Sequence, residues 1–535
     1  MALNNVKETF GAALPDDGTA VDVLIAGAGP TGIALAIDLT RRGVRTLLVE
    51  RQEQLSPGAR GTGVQPRTQE VYDDLGVLDA AFAVGGLYPK TARWENGAIV
   101  DVTQMIERVD PTPDNPYSNG LMVPQFRNLE VLYARLRELG GEVLFRTELT
   151  AFDQDSAGVT ARLRHADGAE RTVRGAYLVA TDGGRSTVRR ALGLKMSGPE
   201  LEPTAVLLAD VRVDGLDRDH WHRWDSPNGG FAGLLPLAGT DCFQTMIAGF
   251  DGTPDTSPET VRAELAAHTH LDAAQITEVL WSSLFRPRAG LVDSYRTGRV
   301  FLAGDAAHIH SPAGGQGLNT SVQDAYNLGW KLGLVLRHGA PDSLLDTYGT
   351  ERRPIAESIL DTSTRLHRSR TLERGRDLHQ LGIGYPESPL TRELRTDVPE
   401  GAPRAGDRAP EAPCTTADGT PTRLFDAFRG PHFTVLDLGG TGVDADALPA
   451  DPALLRVVRA GGPAPDLIDP DGHIRDAYGS APAVLLIRPD GYLALAAPPE
   501  DATAQVAAAL GAYLGKGAHT DAGADVGAGA VPAAR

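Results

Sequence analysis

The chain has 535 residues and a formal net charge of −19, with 51 Lys and Arg against 70 Asp and Glu. A field of that sign repels phosphate backbones and anionic bilayers. It excludes a general nucleic-acid or membrane-surface role while leaving room for a local basic pocket around one anionic ligand. Hydrophobic residues make up 41% and charged residues 23%, ordinary for a globular protein, and at about 150 residues per domain the length suggests about three or four units.

Two cysteines, Cys242 and Cys414, lie far apart and belong to no C-x-x-C or Cys/His spacing. Neither a disulfide framework nor a metal site is expected. No run of about 18 to 20 apolar residues is present to span a bilayer. The N-terminal stretch carries Lys7, Glu8, Asp16 and Asp17 instead of an apolar signal core, so the expected location is the cytoplasm. Glycine is in excess at 61 residues, against a usual share of about 7%.

Residues 1–20 and 516–535 have the composition of disordered ends. Between them, Val21–Ala26 is a short apolar run suited to a buried parallel strand. Ile33, Leu35, Ala36, Ile37 and Leu39 follow on a helix that Gly43 ends, and Thr46–Val49 is the next strand. The order is one βαβ unit. AYLVATDGG and RVFLAGDAAHI repeat the pattern of a buried strand before a Gly/Asp turn, and QDAYNLGWKLGLVLRHG has helical spacing. Across residues 195–290, VLLADVRV, GFAGLLPLAG and CFQTMIAGF read as antiparallel strands between turns. A Pro-rich, charged stretch at 387–403 reads as a linker before a module at 404–515. The fold class expected is α/β: a Rossmann-like nucleotide-binding domain at 21–194 and 291–386, interrupted by a mainly antiparallel β insert.

Gly27, Ala28, Gly29, Pro30, Thr31 and Gly32 fit G-x-G-x-x-G between a strand and a helix. Gly27 allows the tight turn, Gly29 the approach of a pyrophosphate and Gly32 the close packing of helix on strand. The helix start offers free N–H groups to phosphates. Glu50 ends the second strand near the spacing of about 20 residues at which a carboxylate meets ribose hydroxyls, with Arg51 beside it.

Two later segments, DGGRSTVR from Asp182 and GDAAH from Gly304 with SPAGGQGLN following, resemble the DGxxSxxR and GD elements of class A, single-component FAD-dependent aromatic hydroxylases. These are the p-hydroxybenzoate and phenol hydroxylase type, and the sequence is most similar to their actinobacterial polyketide and antibiotic hydroxylases. The resemblance implies FAD as cofactor. Asp305 would bind the ribityl chain, and Pro312, Gly315, Gly317, Leu318 and Asn319 would form the loop and helix start against the flavin ring. It also assigns Gln125 to the ribityl chain, Arg60 to FAD phosphates or the nicotinamide cofactor, and Leu149 to the adenine. Asp182 is either a cofactor contact or a helix cap, and Arg67 either a cofactor-side or a surface residue.

No second G-x-G-x-x-G follows a strand, which matches the family's transient docking of NADPH or NADH. The implied reaction is O2-dependent hydroxylation of an aromatic, polycyclic phenolic or polyketide substrate through a C4a-hydroperoxyflavin. The alternatives are Baeyer–Villiger oxygenation or oxidative antibiotic inactivation on the same fold, and a flavin-free binding protein. The chemistry resides in the cofactor, and no catalytic base is identified. Trp94, Phe231, Leu235, Phe243 and Met246 are candidate substrate-pocket residues, each equally well read as core. The C-terminal module resembles the thioredoxin-like tail of phenol-hydroxylase-type members. Because Cys414 has no resolving partner, a structural or dimer-stabilising part is expected, so a homodimer stays open.

Overall fold

The computed structural model describes residues 14–199, 201, 205–226, 230–250, 252–311, 314–369, 375–448 and 451–515. In chain order, β1 (Thr19–Ala26), α1 (Pro30–Arg41), β2 (Thr46–Val49), β3 (Lys90–Glu95), β4 (Ala98–Thr103), α2 (Gln125–Glu138) and β5 (Glu170–Ala180) come first. Next are β6 (Val206–Val213), β7 (His220–Asp225), β8 (Phe231–Pro236), β9 (Phe243–Ala248), α3 (Pro258–His268) and β10 (Ile276–Phe285). After them run β11 (Val300–Leu302), α4 (Gly317–Arg337) and α5 (Asp346–Ser369). The C-terminal part holds β12 (Arg392–Glu393), β13 (Phe433–Leu438), β14 (Leu455–Ala460), β15 (Ala483–Ile487), β16 (Leu493–Ala497) and α6 (Ala502–Leu514).

The first sheet is centred on β1, which pairs in parallel with β2 and β5, and β5 pairs in parallel with β11. A parallel strand covered on both faces needs consecutive apolar residues, and Val23 to Ala26 are all buried. The long α4 covers one face and meets α1 at Gly329, where a Cβ would stand 2.2 Å from Asp38 Oδ2. Strand β1 starts at Thr19, two residues inside the segment read as a disordered lead-in; residues 1–13 and 516–535 lie outside the described residues.

The second sheet has the order β10–β6–β9–β8–β7–β3–β4. Its pairs are antiparallel except β7 with β3, which run parallel. Two of its strands therefore come from residues 90–103, outside the 195–290 segment singled out in the sequence. Helix α3 packs Val261 and Leu265 on one face, against Leu207, Val211, Leu234, Phe243 and Ile247.

The third sheet is mixed: β13 is parallel to β14 and antiparallel to β15. The stretch at 387–403 is stitched to it instead of swinging free. Strand β12 pairs with Leu495 and Ala496, and the Tyr513 hydroxyl donates to Leu390 O at 2.8 Å. Proline and charge signal irregular backbone, not a lack of contacts. The sheet is fixed to the body through Trp330 of α4, whose ring lies 5.9 Å from Phe433 and 5.8 Å from Tyr513.

Candidate active site

The turn from β1 into α1 is shaped by what its glycines lack. Gly27 has φ +105°, and a Cβ there would meet Thr181 O at 2.6 Å. A Cβ on Gly32 would stand 2.0 Å from Gly27 O, whereas one on Gly29 would meet nothing within 4 Å. Gly29 thus opens onto a cleft at the start of α1, where Pro30 sits in the first turn and no side chain caps the helix. Thr31 is buried, its hydroxyl oxygen 2.7 Å from where a Cβ on Gly304 would lie. Free N–H groups at such a helix end attract an anion.

Glu50 holds this turn. Its carboxylate accepts from Ala28 N and from Gln52 N, both at 2.9 Å. Arg51 is exposed next to it and, with Gln52, Arg146, Glu148, Arg164 and His165, lines a cavity of about 410 Å³. Leu149 lies nearby, but its side chain belongs to the core opposite Leu163.

The other two motifs converge on the same cleft. Asp182 Oδ2 accepts from Thr187 N at 2.7 Å, the helix-cap geometry, while Oδ1 is buried without a partner. Asp305 stands in a short turn beyond β11, its side chain open to solvent with protein packed around the turn. Enclosure pushes its carboxyl up, and the charges of His308 and Arg60 pull it back. Arg189 ties the two turns together by donating to Ala306 O at 3.0 Å and Gly184 O at 2.8 Å.

Gly315 has φ +63°, and Gly317 begins α4, again with no side-chain cap. A Cβ on Gly317 would meet nothing within 4 Å. Leu318 is half-buried, its Cδ1 3.9 Å from where a Cβ on Gly61 would lie. Asn319 spends its amide on the protein: Oδ1 accepts from Gln65 N at 2.8 Å, and Nδ2 donates to Gly63 O and Gly315 O. It shapes the loop and presents no free amide edge. Pro312 lies outside the described residues. Gln125 Oε1 accepts from Gly61 N at 3.1 Å at the start of α2. Arg60 is exposed, its guanidinium over the Trp281 ring and 3.4 Å from Ser283 Oγ.

These residues fit FAD. Two uncapped helix starts face one cleft, glycines leave open the space a side chain would fill, and a buried carboxylate oxygen lacks a partner. What supports the Asp305 turn from behind left no signal in the motifs. Asp324 on α4 accepts from Gly304 N at 3.1 Å, His308 Nε2 at 2.6 Å and Arg352 Nε at 2.8 Å. Burial alone would raise the Asp324 carboxyl; the charges of His308 and Arg352 outweigh it and hold the carboxyl below its ordinary range.

The register of the second sheet sorts the five candidate pocket residues. Side chains alternate between faces. Phe243 and Trp94 lie on the α3 side: Phe243 packs with Val261 and Leu265, and Trp94 stacks on Trp224 with ring centroids 5.8 Å apart. The pocket reading for those two is corrected to core. Phe231, Leu235 and Met246 lie on the opposite face, with Asp210 and Gln244. That face meets the cleft's loop, where Ala59 N donates to Asp210 Oδ2 at 2.9 Å and Gly58 lies against Trp281. Phe243→Ala is therefore expected to cost ~3–5 kcal/mol of stability by denaturant unfolding, without altering which of two competing substrates is preferred. Met246→Ala should do the reverse.

A family model described as FAD binding domain matches residues 20–363, and one described as aromatic-ring hydroxylase, C-terminal, matches residues 402–517. A flavin-dependent monooxygenase of Mycobacteroides abscessus is 40% identical over 481 residues, covering 88% of this chain and 96% of its own. The 12-dehydrotetracycline 5-monooxygenase/anhydrotetracycline 6-monooxygenase of Streptomyces rimosus is 34% identical, covering 92% of this chain and 99% of its own. Among solved structures, aklavinone-11 hydroxylase in a ternary complex with FAD and aklavinone superposes with a TM-score of 0.76 at 29% identity, covering 94% of this chain and 100% of that one. With the FAD-binding model matched across most of its length and this identity to a monooxygenase along nearly the whole of both sequences, the chain belongs to the FAD-dependent aromatic-ring monooxygenases, which use NAD(P)H and O2.

Proposed function

We propose that this chain hydroxylates a polycyclic, phenolic, polyketide-type substrate with electrons from NADPH, in the cytoplasm. The observation that carries the reading is the sheet face that holds Phe231, Leu235, Met246 and Asp210, the last of which is tied through Ala59 N to the loop bearing Arg60. An apolar wall suits fused aromatic rings, and relatives with tetracycline- and aklavinone-type names support that class. When bound, FAD would supply the activation of O2, from which the hydroxyl oxygen comes. The chain's own residues hold the pyrophosphate at the start of α1, fix the ribityl side through Asp305 and Gln125, and exclude water with the β insert at 195–290. Arg60 provides a cation for the nicotinamide cofactor on an otherwise acidic surface.

In the same reading the FAD-binding domain comprises 21–194 and 291–386, and residues 404–515 form a thioredoxin-like module with a structural part. Buried Cys414 supports that part: its thiol is pushed up to about 11 by burial, so little thiolate forms near neutral pH. The test is NADPH oxidation by the FAD-loaded protein across phenols, anthraquinones and naphthacene-like polyketides, with product masses. Stimulated oxidation with a one-oxygen gain at intact rings is expected. A ring-opened or lactone product would replace hydroxylation by Baeyer–Villiger chemistry, and no stimulation by any polycycle would overturn the substrate class.

A further inference from the structure

Within the sheet face described above, two polar side chains are buried without full satisfaction. Asp210 of β6 is 3% exposed and Gln244 of β9 is 8% exposed, and the two are direct cross-strand partners. Partners of this kind have Cβ atoms about 5 Å apart. Asp210 Oδ2 accepts from Ala59 N, but Oδ1 has no partner, and neither has Gln244 Nε2. An acceptor and a donor are left side by side on the wall that faces the cofactor cleft. Leaving either unmet inside a protein is costly, so a group that meets both at once is selected strongly.

We propose that Asp210 and Gln244 form the subsite for a phenolic hydroxyl of the substrate, with Asp210 as the base that ionises it. The inference rests on the phenolic reading given above. A hydroxyl both donates and accepts, which matches this pair and no purely accepting or purely donating group. In the ionising step the phenolic O–H bond breaks and the proton passes to Asp210 Oδ1. The electron pair stays on the phenolate oxygen, which accepts from Gln244 Nε2. An ionised oxygen makes the ring more electron-rich at the carbons ortho and para to it, where hydroxylation occurs.

The surroundings agree with a proton-accepting carboxyl. The groups facing it are Ala59 on the loop, Gln244 on β9, and Trp281 and Ser283 on β10. The nearby charged group, Arg60, turns to Ser283 and Trp281. Burial lifts the Asp210 carboxyl to about 7, against the pull of the Ala59 N–H, close to neutral, where a general base works best.

Asp210→Asn separates this function from support of the loop. The amide oxygen can still accept from Ala59 N, while the free position becomes a second donor. Gln244→Leu removes the partner without touching the loop. FAD-loaded wild type and both variants would be titrated with 2-hydroxyanthraquinone and 2-methoxyanthraquinone, whose absorption also reports phenol ionisation. The wild type is expected to prefer the hydroxyl probe at least tenfold and to hold it ionised below the pH at which the free dye ionises. Both variants should fall to within about twofold between the probes at unchanged FAD content. Equal wild-type binding of the two probes, a preference retained in Asp210→Asn, or loss of FAD from that variant would each overturn the subsite. If the wild type bound neither probe, the polycyclic phenol reading itself would fall, and the subsite with it.

Discussion

Gly29→Val is expected to fold with wild-type stability and to purify with little or no flavin. The two halves of this result come from different parts of the geometry. Gly29 has φ −74° and ψ 179°, an extended conformation any residue adopts, and a Cβ there meets no protein atom within 4 Å. Nothing in the fold resists the side chain. The open space is nevertheless the approach to the first turn of α1, and an isopropyl group there keeps an anion from the helix N–H groups. Those N–H groups and the helix dipole are the main attraction for pyrophosphate in an acidic protein. At least a hundredfold weaker FAD binding is expected, about 2.7 kcal/mol, read by flavin absorbance per protein and by reconstitution with added FAD. Gly32→Val is the contrast: its Cβ would stand 2.0 Å from Gly27 O, so the fold itself suffers. Wild-type flavin content in Gly29→Val would show that this turn does not hold the pyrophosphate.

The same contrast explains what was legible in the sequence. The Gly27–Gly32 turn, Asp182 and Asp305 are read from neighbours in the chain, because a strand, a turn and a helix start are local events. The pocket wall is not local. Strand periodicity shows that Phe243 and Met246 fall on opposite faces, but not which face is which. That depends on α3 arriving against one side, and α3 lies beyond both residues in the chain. Arg67 is similar. Its sequence neighbourhood suggests cofactor or solvent, yet it is buried, paired with Glu70 and donating to Asp490 O at 2.7 Å, 423 positions away. Asp210 did carry a signal: a carboxylate in the middle of VLLADVRV has no place in a covered strand unless something there requires it.

Glu351→Gln should be strongly destabilising for so conservative a change. Glu351 is fully buried on α5 and accepts from Arg488 Nη1 at 2.7 Å, Lys331 Nζ at 2.8 Å, Asn327 Nδ2 at 2.7 Å and Ser388 Oγ at 2.7 Å. Arg488 also pairs with Asp490 at 2.6 Å, so two cations meet two anions in a buried space between α4, α5 and the third sheet. An amide keeps the volume but leaves two cations facing one anion, and removing one member of a buried ion cluster costs ~3–5 kcal/mol. Burial would raise the Glu351 carboxyl; the charges of Arg488 and Lys331 outweigh it and hold it well below the ordinary range. A depressed folded value means the stabilisation is complete above the unfolded glutamate value of about 4.3 and is lost as pH falls through the folded one. The deficit of the variant, measured by denaturant unfolding, should therefore shrink as pH falls into the acid range. Because Arg488 and Ser388 both belong to the C-terminal side of α5, the weakened protein should also be cut earlier by protease near residues 387–403 than the wild type is. A variant with the wild-type midpoint at pH 7 would mean that the cluster contributes nothing to holding the C-terminal module on the FAD-binding body.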